Sequence, residues 1–155
     1  MRHRILTAVV VLACASLVAC SAVATLGTDP NTALNELTAL HKTRDAAIAG
    51  KDASAAASFP AIAKQHAPDL TVTLADGTKL DRAGFEALLQ EKAEVVAPSH
   101  ITRLTQEESS YIAVVTPGLR GAGSALRETW KRTGAGWVLK RVDEVSAPST
   151  VAQKS

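Results

Sequence analysis

Behind Arg2, His3 and Arg4 the chain runs almost without a polar residue from Ile5 to Val18. A short basic segment followed by such a stretch is the pattern of a secretory signal peptide, and it falls short of the about 20 apolar residues that span a bilayer. Residues 1–19 are therefore predicted to be removed, so that the fold is built from the 136 that remain of 155. A chain of that length buries roughly two thirds of its unfolded surface in one core, and a single domain is expected. Of the two cysteines, Cys14 departs with the leader and Cys20 begins the mature chain, which leaves no disulfide.

Leu17-Val18-Ala19-Cys20, at the end of the apolar run, resembles the bacterial lipobox. There, small residues fit the peptide to a peptidase and the cysteine thiol accepts diacylglycerol before cleavage. The resemblance implies cleavage before Cys20, lipid on its thiol and attachment to a membrane. An ordinary secreted protein cut at an Ala-x-Ala-like site, or an uncleaved anchor, are the alternatives. Ser21 stands where many inner-membrane lipoproteins of Gram-negative bacteria carry aspartate. By the same resemblance, a Gram-negative host implies the periplasmic face of the outer membrane. The small polar residues that follow, with Cys20 a tether over 20–30, would hold the domain no more than roughly 30 Å from the bilayer at about 3.3–3.6 Å per residue. Residues 147–155 are expected to form a loose tail.

Arg2 and Arg4 leave with the signal peptide, so the 17 basic residues fall to 15 and match the 15 acidic ones. Nucleic-acid binding needs a basic patch to replace phosphate counterions, and no basic cluster exceeds Lys131-Arg132 or Lys140-Arg141, so that class is set aside.

Asp29-Pro30 starts a helix, with Asp29 as cap and Pro30 at the first position. Leu34, Leu37, Leu40 or His41, Arg44 and Ile48 form its apolar stripe to about Ala49, and Gly50 closes it. Asp52 caps an Ala-rich second helix that Pro60 breaks near Phe59, with a further short turn to about His66. Leu70 to Ala75 alternates as a strand, Asp76-Gly77 marks a hairpin, and Thr78 to Leu80 returns. Asp81 caps a third helix carrying Phe85, Leu88 and Leu89. Strands are then expected at His100–Glu107, Ser110–Thr116, Ala125–Thr133 and Trp137–Val145, the last two joined at Gly134-Ala135-Gly136. Helices around a small hairpin, then an antiparallel meander, make an α+β domain.

The helix, Gly50-Lys51-Asp52, second helix, Leu74-Ala75-Asp76-Gly77-Thr78 hairpin, third helix and closing Thr129-Trp130-Lys131-Arg132 … Gly136-Trp137-Val138-Leu139 together resemble the NTF2-like superfamily, particularly its SnoaL-like members. The resemblance covers residues 31–146. It implies a cone in which a curved antiparallel sheet wraps a long N-terminal helix, with a pocket at the mouth. The chain departs from that pattern in its Ala-rich second helix, its scarce aromatics, and Arg141 to Val145 where relatives often carry histidines.

With a two- or four-residue turn at Gly134-Ala135-Gly136, the closing hairpin pairs Trp130 with Leu139, Arg132 with Trp137 and Glu128 with Arg141. Leu126, Trp130, Trp137, Leu139 and Val145 then share the inner face with Glu128, Arg141 and Asp143; a one-residue slip would exchange the faces. These three charged residues would either floor a ligand pocket or pair across the strands at a wet end of the sheet. Tyr111 could add a hydroxyl to that pocket, or sit in the core with its OH at the surface. His41 and Arg44 are expected at the edge of the helical stripe with their heads in water, the other reading being that they look into the cone. His66 and His100 have no second ligand at useful spacing, so no metal is expected, nor any cofactor. The Gly-rich segment from Pro117 to Ser124 joins two strands and does not precede a helix, which excludes a phosphate cradle and leaves a loop.

Two functions follow. The preferred one is a non-catalytic envelope module whose cone holds a small apolar ligand, or whose sheet meets a partner or a second copy in a homodimer. The alternative is a SnoaL-like or ketosteroid-isomerase-like enzyme. In it Asp143 or Glu128 abstracts a proton and Tyr111 or Arg141 stabilises the enolate.

Overall fold

A computed structural model of the chain describes residues 28–49, 59–91, 98–119 and 121–147. The leader, Cys20, the Ala-rich helix expected from Asp52 and the last eight residues lie outside them. Helix α1 (Pro30–Ala49) starts as expected: Asp29 Oδ2 accepts from the Thr32 N–H at 3.0 Å, and Pro30 takes the first position. Its buried line is Ala33, Leu37, His41, Arg44 and Ile48. Leu34, expected in the stripe, is 36 % exposed; at 100° per residue a stripe centred on Ala33 and Leu37 leaves Leu34 on the flank.

Residues 59–63 are helical, and the break expected near Phe59 abuts residues outside those described. Strand β1 (His66–Thr73) then begins four residues before Leu70, because the Leu139 N–H donates to Gln65 O at 2.7 Å and His66 pairs with Leu139. Pro68 falls where the register slips between His66 and Thr71, the kind of place a residue without an N–H tolerates. The Asp76-Gly77 turn is present, with Gly77 at φ 84° and Asp76 Oδ1 accepting from the Thr78 N–H at 2.9 Å. Strand β2 (Lys79–Leu80) follows, and Asp81 caps α2 (Arg82–Glu91) by accepting from the Gly84 N–H at 2.8 Å. The remaining strands are β3 (His100–Glu107), β4 (Ser110–Thr116), β5 (Ser124–Thr133) and β6 (Gly136–Ser146). Ala147, expected in the tail, is still held by its N–H to Gly123 O at 3.1 Å.

The six strands lie in the order β2-β1-β6-β5-β4-β3. The sheet is mixed, not wholly antiparallel as expected: β1 runs parallel to β6 and every other pair is antiparallel. A hairpin cannot join parallel neighbours, so β1 reaches β6 only after α2 and four strands intervene. Tyr111, Ala113 and Val115 of β4 and Leu126, Glu128 and Trp130 of β5 stand opposite one another on the buried face. With α1 and α2 they make the core, which also takes in Leu37, Phe85, Leu89, Trp137, Leu139 and Val142.

The closing hairpin carries the main correction. Trp130 pairs with Leu139 and Arg132 with Trp137, as expected, but Thr129 pairs with Arg141 and Glu128 with Val142. The register shifts between Thr129 and Trp130, leaving Lys140 as the extra residue of a β-bulge. Beyond it every side chain of β6 changes face: Val142 and Glu144 turn inward, and Arg141, Asp143 and Val145 turn outward.

Candidate functional site

Glu128 sits mid-strand on the inner face with no exposed surface at all. A carboxylate there is costly unless matched, and α1 supplies the match from two positions one helical turn apart. Arg44 Nη1 donates to Glu128 Oε1 at 2.8 Å, and His41 Nε2 lies 3.0 Å from Oε2, off the line of a good hydrogen bond. Trp130, two residues along β5 on the same face, donates its Nε1–H to Oε2 at 2.9 Å. Arg44 Nη2 lies 2.7 Å from His41 Nδ1. A guanidinium has only donors, so Nδ1 accepts and the ring proton sits on Nε2, facing the carboxylate. Burial alone pushes the Glu128 carboxyl up, but the Arg44 guanidinium, then His41, override it and hold the group far below the usual carboxylate range.

A second cluster adjoins it. His66 Nδ1 lies 3.0 Å from Glu86 Oε1, which also accepts from Arg82 Nε at 2.7 Å, while Arg82 Nη2 donates to Ala63 O at 2.8 Å. Burial lowers the His66 pKa and outweighs the opposing pull of Glu86. For Glu86, burial raises the carboxyl, and hydrogen bonds and charge from Arg82 and His66 bring it below the usual value. His41, Arg44, Trp130 and His66, with Leu40, Ile62 and Gln65, line a cleft of about 10 Å³. That is room for about one water, where small-molecule sites take about 300–1,000 Å³.

Of the residues singled out in the sequence, the structure brings together Glu128, His41 and Arg44. His41 and Arg44 do not hold their heads in water: both are buried, because their counter-charge lies 84 residues from Arg44 in the core. Arg141 and Asp143 are not on the inner face. The Lys140 bulge puts them outside, where Arg141 Nε donates to Asp143 Oδ2 at 2.8 Å, and Asp143 holds the Arg141 pKa up. Tyr111 is buried edge-on to Trp137, with ring centres 5.4 Å apart, and its OH donates to Thr28 O, pinning the start of α1. Glu36, which sequence reasoning passed over, accepts from Trp137 Nε1 at 2.6 Å and Arg132 Nη1 at 2.5 Å, with the Arg132 guanidinium over the Trp137 ring. Glu86 and Arg82 were also missed, and His66, weighed only as a metal ligand, meets Glu86 instead; an Arg-x-x-x-Glu step on the helix was the available signal.

Among the described residues no three or more His, Cys, Asp or Glu come together to hold a metal ion. No helix of the described residues is long and apolar enough to cross a membrane. No protein-family model matches the chain, and no curated protein matches it. Solved structures do. An NTF2-like protein of unknown function from Silicibacter pomeroyi superposes with a TM-score of 0.59 at 16% identity, over 77% of this chain and 100% of that one. One from Pseudomonas aeruginosa gives 0.52 at 16% identity, over 74% and 97%. A third, from Shewanella baltica, gives 0.52 at 12% identity, over 79% and 99%. At such identities the likeness speaks for the fold alone, and the fold of the described residues is the NTF2-like α+β cone, a curved mixed sheet closed over α1.

Proposed function

We propose that the chain is an envelope lipoprotein, cut before Cys20 and anchored by lipid on that thiol, whose NTF2-like domain is a non-catalytic binding or interaction module. The observation that carries the non-catalytic part is Glu128. An enzyme of the ketosteroid-isomerase kind needs a carboxylate that reaches substrate with its pKa near the working pH. Glu128 instead spends both oxygens on Arg44, His41 and Trp130, and its charge is locked in at neutral pH. Asp143, the other candidate base, lies on the outer face beside Arg141. The about 10 Å³ left beside the cluster argues against a small apolar ligand at that point, so interaction through the outside of the domain is the reading we favour. A homodimer through the sheet would bring Arg127, Thr129 and Lys131 of β5 and Arg141 and Asp143 of β6 together, and would rest on charge pairing more than apolar burial.

Anchoring is tested by mass spectrometry of the natively produced protein. The expected product begins at Cys20 and carries diacylglycerol; an unacylated product, or one beginning elsewhere, overturns it. The non-catalytic reading is tested with Glu128→Gln. Activity on an enolisable ketone that disappears in this variant, while the variant stays folded, overturns it.

A further inference from the structure

The outer face of the sheet, away from α1, holds a trough of about 760 Å³, within the range of ligand sites. One end carries Arg127 of β5 with Arg141 and Asp143 of β6, two guanidinium groups against one carboxylate, and the other carries Glu107 and Glu108 at the turn between β3 and β4. The strand register sets their spacing: Arg127 is level with Val114 and with Asp143, Thr129 with Ile112 and Arg141, and Ser110 with Glu107. Ser110 to Val114 is four residue steps, about 13 Å along the strand. The basic end keeps unused donors. Arg141 gives only Nε to Asp143, leaving both Nη groups, and Arg127 makes no hydrogen bond or ion pair with any described residue.

We propose that this trough binds a short peptide with free ends. Its carboxylate lies between Arg127 and Arg141, and its ammonium group at Glu107 and Glu108. A guanidinium fork matches a carboxylate in shape, which a lone ammonium on the protein would not. An extended chain spans about 13 Å in about four residues. The face of a sheet, unlike its edge, offers no backbone groups, so recognition rests on the end charges and the Ser110 and Thr129 hydroxyls. The proposal deepens the binding-module reading and rests on it.

The test is an NMR titration of the isotope-labelled full chain in detergent with tetraglycine, N-acetyl-tetraglycine and tetraglycine amide, each up to about 20 mM, a range that reaches millimolar dissociation constants. Free tetraglycine is expected to shift the amides of residues 107–110, 127–129 and 141–143. Each blocked peptide is expected to bind about fivefold more weakly, as is the free one to Arg127→Ala or Arg141→Ala, whose spectra stay dispersed because both side chains are exposed. No shift at the highest concentration, equal binding of the three peptides, or shifts at these residues that follow protein dilution instead of peptide, the mark of a second copy in the trough, overturns the proposal. Chemical conversion of bound tetraglycine in the same tube overturns the non-catalytic reading and leaves the trough assigned.

Discussion

Replacing Arg44 by methionine keeps the length and most of the volume of the side chain and removes the charge that faces Glu128. The carboxylate then stays in a site with no exposed surface, held by Trp130 and His41 alone. Breaking a buried ion pair from one side costs about 3–5 kcal/mol, a large part of the 5–15 kcal/mol that holds a typical domain together. At about 3–5 °C per kcal/mol for a domain of this size, the midpoint should fall by about 10–20 °C. The pH dependence is the sharper part. In the parent protein Glu128 is lowered from its usual 4.5, so its contribution is complete above 4.5 and is lost only as the pH falls below that value. In Arg44→Met burial acts unopposed by the guanidinium and raises the carboxyl, so that the folded state takes up a proton before the unfolded one does. The variant should recover stability as the pH falls from 8 to 5, narrowing its deficit against the parent. Urea denaturation followed by the fluorescence of Trp130 and Trp137, both buried, measures this deficit directly. A deficit below about 1 kcal/mol at pH 7, no more than one ordinary hydrogen bond, refutes the reasoning. So does a deficit that widens on acidification.

Three further outcomes are expected. Deleting Lys140 should remove the bulge and leave Leu139, Arg141 and Val142 alternating in, out and in on their present partners, so that the variant keeps the near-ultraviolet signal of its buried tryptophans; loss of that signal would contradict the register. Tyr111→Phe should cost about 1 kcal/mol and speed hydrogen exchange at the Ala33 amide in the first turn of α1, with unchanged exchange counting against the Thr28 contact. His66→Gln bears on pH in the other range. Because the fold lowers the His66 pKa below 6.5, the parent should be most stable above 6.5 and weaken as the pH falls through the folded value, and the glutamine variant should lack that slope.

Local chemistry was legible where a few neighbouring residues decide the outcome. Asp29-Pro30, Asp76-Gly77 and Asp81 each act through backbone groups within three residues, and β3 and β4 end where the alternation ends. The tip of the last hairpin was legible for the same reason, the pairing of Trp130 with Leu139 following from the turn. The far half was not, because one extra residue in β6 resets the phase. The signal was present: apolar Trp137 and Leu139 are followed by apolar Val142, a step of three in a strand whose period is two. The parallel seat of β1 against β6 is a long-range choice with no local mark. For His41 and Arg44 the helical spacing placed both on the stripe, yet their burial depended on Glu128, which reaches them only through the fold.

The bond from Tyr111 to the carbonyl of Thr28 makes the residue two places before α1 a fixed point on the β4 side of the cone. Under the proposed anchoring, any tug arriving from the bilayer is delivered to that rivet and spread through β4 into the sheet, and does not peel α1 from its N-terminal turn. The globule would thus ride with one end consistently downward, a boat moored by the bow, and surfaces near that end would meet lipid or neighbouring envelope components before the rest.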